Sequence, residues 1–164
     1  MKILIAYSSK TGNTRKVAEA IHAELPKAEL IDVKNSPDPS SYDLIFLGCW
    51  IDKGTADAEA QKFIKKLDGK RIAIFSTLGA YPDSDHAIKS LENIATLLSS
   101  CTVVDRWICQ GAIDPKLIAW MSELPGEHPH SPDDARRKRW KDAQSHPDKQ
   151  DFENVRAWAA KVVV

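Results

Sequence analysis

The sequence predicts a doubly wound α/β domain: a five-stranded parallel sheet of order 2-1-3-4-5, helices on both faces, and an extra helical segment before the last helix. Three observations lead there. Apolar runs alternate with helical patterns from the first residue onward, as they do in a parallel sheet. Three of those runs are almost unbroken, which suits strands covered on both faces. The other two carry charges, which suits sheet edges. Strands one, three and four are therefore central, and strands two and five are the edges. The order 2-1-3-4-5 is a known doubly wound arrangement that fits this placement and is not dictated by spacing.

Strand one spans residues 2–7 and is followed by a helix with Val17, Ala18, Ile21 and Leu25 on one stripe. Strand two, 29–33, contains Asp32, and a polar loop at 37–41 leads into strand three, 43–49. A second helix carries Ala60, Phe63, Ile64 and Leu67; strand four is 71–76. A third helix sets Ile88, Leu91, Ala95 and Leu98 in line before strand five, 102–109, with Asp105 and Arg106. Each helical set recurs at i+3 and i+4 and so makes one apolar stripe.

The last third departs from this alternation. Asp114-Pro115 reads as an N-cap followed by proline at the first helical position, opening a helix with Leu117, Ile118 and Met121. Leu124-Pro125-Gly126 stops it, and 127–132 is a loop. Ser131 is expected to cap the next helix, with Asp133 and Asp134 in its first turn. His146-Pro147 ends that helix, and Phe152, Val155, Ala159 and Val162 mark the final one. The whole chain reads as one domain, 1–164, with 112–150 as a helical insertion.

Composition narrows the function. The chain has 164 residues, 23 basic and 23 acidic side chains and three cysteines. A formal charge of zero lacks the basic stripe that nucleic-acid binding needs. No apolar run approaches the roughly 20 residues that span a bilayer, and the start is too short for a secretory leader. Cys49, Cys101 and Cys109 lack CxxC spacing, so neither a disulfide framework nor a zinc knuckle is expected. A cytoplasmic location is the expectation.

In such sheets ligands bind beyond the carboxyl ends of the strands, where the strand order reverses. Here that place lies between strands one and three, bordered by loops 8–14, 49–57 and 76–86. The first contains Ser9, Lys10, Thr11, Gly12, Asn13 and Thr14 before a helix. Hydroxyls and free N–H groups at a helix start can surround a phosphate with neutral donors. A simple helix cap by Asn13 or Thr14 is the competing reading. Neither G-x-x-x-x-G-K-[ST] nor G-x-G-x-x-G occurs. The second loop offers Cys49, Trp50, Ile51, Asp52 and Gly54, and the third Thr77, Leu78, Gly79 and Tyr81. Two rings beside a phosphate pocket suggest a sandwich around a planar phosphorylated ligand.

Residues 3–14 and the pattern [ST]-x-[ST]-G-x-T at Ser9–Thr14 resemble the flavodoxin family, as do Gly48-Cys49-Trp50 and, more loosely, Gly79–Tyr81. The likeness covers about the first 110 residues. It implies non-covalent FMN, with the phosphate on Ser9, Thr11, Gly12, Asn13 and Thr14. Trp50 and Tyr81 would flank the isoalloxazine, and a peptide in the Ile51–Gly54 turn would face the flavin. The expected role is a monomeric electron carrier for a redox partner protein. Alternatives are an FMN-dependent NAD(P)H oxidoreductase acting on quinones or another small acceptor, a carrier dedicated to one reductase, and a cofactor-free interaction module on the same fold.

Other groups have plainer expectations. Asp52, Asp57, Glu59, Asp83 and Asp85 suggest an acidic rim on the flavin loops. Cys49 and Cys109 read as buried thiols, and His128, His130 and His146 as loop histidines without metal. Arg136-Arg137-Lys138-Arg139 reads as a solvated helix face paired as Asp133→Arg137 and Asp134→Lys138. Segment 112–150 is expected to dock a partner through Trp140 and its arginines, outside the flavin pocket.

Overall fold

The computed structural model describes residues 1–164. Its parallel sheet contains β1 (Ile3–Tyr7), β2 (Glu29–Asp32), β3 (Leu44–Asp52), β5 (Arg71–Leu78) and β6 (Thr102–Gln110). A two-residue strand, β4 (Thr55–Ala56), folds back antiparallel on the end of β3. The helices are α1 (Asn13–Glu24), α2 (Ala58–Ile64), α3 (Asp85–Leu97), α4 (Pro115–Ser122), α5 (Asp134–Ala143) and α6 (Lys149–Val162).

The spatial order β2-β1-β3-β5-β6 is the expected 2-1-3-4-5 arrangement of the five parallel strands. The uncharged runs are central because they are buried on both faces: Leu44 through Cys49 are buried without a break. Edge strand β6 exposes Asp105 and Arg106, and an extra residue, Val104, is accommodated between the pairs Ile72–Val103 and Ala73–Asp105. Such a bulge bends an edge away from further strand pairing.

Two apolar layers enclose the sheet. One, of 16 buried residues, packs Leu4, Ile45, Leu47 and Ile74 against Phe63, Leu67, Ile94 and Leu98 from the α2 and α3 side. The other, of 12, packs Ile5, Phe46 and Phe75 against Val17 and Ile21 of α1 and Val155 and Ala159 of α6. The expected stripe of α3 holds at Leu91, Ala95 and Leu98, which pack on the core, and fails at one position. Ile88 is exposed, and Ala87, Ser90 and Ile94 face inward. Ser90 tolerates burial because its hydroxyl donates to the His86 carbonyl at 2.7 Å.

Residue 49–57 is a hairpin rather than a loop. β3 runs on through Trp50 to Asp52, turns at Lys53 and Gly54 (φ 50° and 78°), and returns as β4. Two consecutive left-handed residues make the turn whose twist suits a two-residue hairpin. The Asp114-Pro115 start of α4 is as expected, with the Asp114 carboxylate accepting from Lys116 N–H. The cap of α5 is Asp133, which accepts from Arg136 N–H, not Ser131. Ser131 lies two residues too early, separated from the helix by Pro132 and Asp133.

Candidate functional site

A cleft of about 340 Å³ opens beyond the carboxyl ends of β1, β3 and β5. That size falls in the usual range for small-molecule sites. Its floor begins in the loop between β1 and α1, where Ser9, Lys10, Thr11, Asn13 and Thr14 line it. Gly12 takes φ 99°, a left-handed conformation that favours glycine, and its N–H donates to the Ser9 hydroxyl at 3.1 Å. α1 then starts with no side-chain cap. The N–H groups of Asn13, Thr14 and Arg15 have no acceptor within the chain. The side chains that could have capped the helix are used elsewhere. Asn13 Nδ2 donates to the Ala112 carbonyl at 2.8 Å, and Thr14 Oγ1 pairs with Thr77 Oγ1 at 2.9 Å. An uncapped helix start inside a ring of hydroxyls is an anion cradle built from neutral donors.

Trp50 and Ile51 of the hairpin form one wall, and Thr77, Leu78 and Gly79 at the end of β5 form another. Lys10 Nζ lies 5.6 Å from the centre of the Trp50 ring and 3.7 Å from Asp114. Five of the expected residues do not line the cleft. Gly12 shapes the turn. Cys49 is fully buried and shares a hydrogen bond with Ser76 at 3.3 Å, and burial pushes its thiol up to about 12. Its side chain belongs to the core, so only its backbone is near the site. Asp52 and Gly54 sit at the hairpin turn, where the Gly54 carbonyl accepts from Asn93 at 2.8 Å. The Tyr81 hydroxyl donates to Asp142 Oδ2 at 2.7 Å, which anchors its loop to α5 and takes the ring out of the cleft wall. That hydrogen bond raises the Tyr81 pKa, and Lys138 with Tyr81 lowers that of Asp142.

Residues 112–150 are part of this cleft, contrary to the docking-surface expectation. Ile113, Leu117 and Met121 enclose it, and α5 adds Arg136, Arg139 and Trp140. Trp140 is buried, so it is a wall rather than an exposed anchor. The expected pairs Asp133–Arg137 and Asp134–Lys138 are absent; Arg137 donates to the Pro132 carbonyl and Lys138 to Asp142. No short motif marks this wall. The i, i+3, i+4, i+7 spacing of Arg136, Arg139, Trp140 and Ala143 was the one available signal that these residues share a face.

Asp57 was expected on an acidic rim and is instead buried. It caps α2, and its Oδ1 accepts from Ser8 Oγ at 2.6 Å and from Glu59 and Ala60 N–H. Its Oδ2 has no partner. Burial raises its pKa against the lowering effect of those hydrogen bonds. Asp57 thus ties the hairpin's exit to the end of β1. Cys49 and Cys109 lie in the two different core layers, on opposite sides of the sheet. His146, Asp148 and Asp151 converge, but the two carboxylates form the capping box of α6 and the His146 ring bonds Asp151 at 2.6 Å.

A family of flavodoxin domains matches residues 4–160. The chain belongs to the flavodoxin family. It is similar to the flavodoxin-like domain-containing protein BilS of Clostridioides difficile, at 31% identity over all of this chain and 97% of that protein. A second BilS, from Clostridium symbiosum, is 29% identical over 93% of this chain and 90% of that one. Among solved structures, oxidised flavodoxin 2 of Bacillus cereus superposes with a TM-score of 0.64 at 19% identity, covering 99% of this chain and 98% of that one. A Lactobacillus acidophilus flavoprotein in complex with FMN gives 0.56 at 18% identity, covering 73% and 97%. FMN is the cofactor of this flavodoxin. The residues present fit it: neutral donors for a phosphate dianion at one end and an apolar, tryptophan-bearing wall for a planar ring at the other. No helix is long and apolar enough to cross a membrane.

Proposed function

We propose that this flavodoxin binds FMN in the cleft and carries electrons to and from a redox partner protein. The observation that carries the reading is the uncapped start of α1, set in the hydroxyl-lined loop at the point where the strand order reverses. Ser9, Thr11, Gly12, Asn13 and Thr14 would hold the phosphate, and Trp50 would lie against the isoalloxazine. When bound, FMN supplies the redox chemistry; the chain supplies binding, orientation and electrostatics. Leu78, Ile113 and Trp140 would restrict water at the ring, and Asn93, donating to the Gly54 carbonyl, holds the hairpin turn behind Trp50 and Ile51. Asp57, through Ser8 and the α2 start, keeps the hairpin in register with the phosphate loop.

The test is titration of apoprotein with FMN and with riboflavin. FMN is expected to bind with a clear preference, and Thr11→Val combined with Thr14→Val is expected to weaken FMN by roughly 10- to 100-fold, the scale of hydrogen bonds to a charged group. Riboflavin affinity should change little. Equal affinities for the two flavins would overturn the phosphate-loop assignment. A second reading, direct reduction of the flavin by NAD(P)H for transfer to a small acceptor, draws support from the cationic wall of α5. Rapid anaerobic bleaching of the bound flavin by NADPH alone would favour it over the carrier.

A further inference from the structure

The basic run on α5 divides into two faces. Arg136, Arg139, Trp140 and Ala143 fall on one side of the helix; Trp140 and Ala143 are buried there, and both arginines reach the cleft wall. Arg137 and Lys138 point away, held by the Pro132 carbonyl and Asp142 at 2.9 and 2.6 Å. The helix cannot easily turn to exchange these faces, because Asp142 is also bonded to Tyr81.

The two inward guanidiniums have no carboxylate within ion-pair distance. Arg136 makes a single long contact to the Ser131 carbonyl at 3.4 Å, and Arg139 makes none. Across the cleft the cations are Lys10, Arg136 and Arg139, against the single carboxylate of Asp114, which is already beside Lys10 at 3.7 Å. Half-buried charges without counterions are costly, and a guanidinium fork matches the planar oxygens of carboxylate or the tetrahedral oxygens of phosphate. The same cleft is lined by Ile113, Leu117 and Met121, which suit an organic body rather than a bare ion.

We propose that Arg136 and Arg139 form a second anion subsite in the cleft, which takes the carboxylate or phosphate of a small organic molecule admitted beside the flavin. The proposal deepens the flavin reading by naming the class of molecule that the cleft admits. Its test is a binding measurement that does not depend on flavin activity.

The experiment is calorimetric titration of the FMN-loaded and FMN-free protein with two matched pairs: 2-naphthoate against 2-naphthamide, and 2-naphthyl phosphate against 2-naphthol. At least one anion is expected to bind tenfold or more tightly than its uncharged partner, and which one does so separates carboxylate from phosphate recognition. Arg136→Gln with Arg139→Gln should remove that preference and leave naphthamide binding and FMN affinity within about threefold, and the lysine pair should restore part of it. Single variants at each position, checked for unaltered circular dichroism, cover the case in which the double variant misfolds. Equal binding of charged and uncharged probes overturns the proposal. So does a loss of FMN affinity matching the loss of anion affinity, since the arginines would then serve the flavin phosphate. If wild-type protein takes no FMN but still prefers the anion, the flavin reading falls and the subsite stands.

Discussion

Replacing Gly48 by alanine is expected to strain the centre of the sheet. Gly48 lies in β3 between Tyr7 of β1 and Phe75 of β5. The Phe75 ring covers it so closely that a Cβ would stand 2.2, 2.4 and 2.9 Å from Cζ, Cε2 and Cε1. Carbon atoms pack at about 3.5–4.0 Å, so the ring has to retreat by more than ~1 Å. It has little room to do so: Phe75 is fully buried, in one layer with Ile5, Val17 and Phe46. Overpacking of this kind costs about 1–3 kcal/mol, and a site with central strands on both sides belongs at the upper end. At about 2–4 °C per kcal/mol for a chain of this length, Gly48→Ala should lower Tm by roughly 6–12 °C. Because Trp50 is two residues further along β3, FMN affinity should fall as well. Urea unfolding followed by far-ultraviolet circular dichroism measures the loss. Phe75→Leu in the Gly48→Ala background should recover part of it, giving a coupling of about 1–3 kcal/mol in a double-mutant cycle. A stability within about 0.5 kcal/mol of wild type, or strict additivity of the two changes, would refute the steric argument.

Asp57→Asn should change the pH dependence of stability. The folded-state pKa of Asp57 is raised by burial, so its favourable contribution is complete below the ordinary carboxylate value and is lost as pH rises through the folded value. Urea unfolding from about pH 4 to pH 7 should show wild type losing ground to the asparagine variant, and parallel curves would count against the raised pKa. Tyr81→Phe should loosen α5 alone, seen as faster amide hydrogen exchange over 134–143 with α1 unchanged; uniform exchange would mean that the Tyr81–Asp142 bond anchors nothing. Trp50→Ala should raise the fluorescence of bound flavin, whereas Trp158→Ala should not, because the Trp158 ring packs edge-on to Phe46 at 5.5 Å in the core.

Which strands are central and which are edges was legible because burial on both faces writes an unbroken apolar run, as in Leu44–Leu47, whereas an edge admits Asp105; their order followed from likeness to a known arrangement. The loop at Ser9–Thr14 was legible as a candidate site because its residues are contiguous: five polar side chains between one strand and one helix. What could not be read depends on partners distant in sequence. Tyr81 was expected in the cleft because an aromatic beside a strand end has an apolar face, but Asp142, 61 residues away, takes its hydroxyl. Asp57 looked like surface charge until Ser8, 49 residues away, met its carboxylate. The arginines of α5 showed their helical face in sequence, but not which side of the helix met the cleft. β4 was missed because two residues carry no periodicity.

The Ala112 N–H donates to the His146 carbonyl at 2.9 Å, so the chain leaves the body of the protein and re-enters it at the same spot. Everything between those two residues is a closed excursion, and the strands and α6 do not depend on its length to meet. The consequence is modularity. The stretch 113–145 is therefore expected to accept exchange for another stretch more readily than any strand does, provided the replacement covers the ground now held by Ile113, Trp140 and Ala143. One wall of the cleft thus belongs to the excursion, and the other, with Trp50, Thr77 and the loop at Ser9–Thr14, belongs to the sheet.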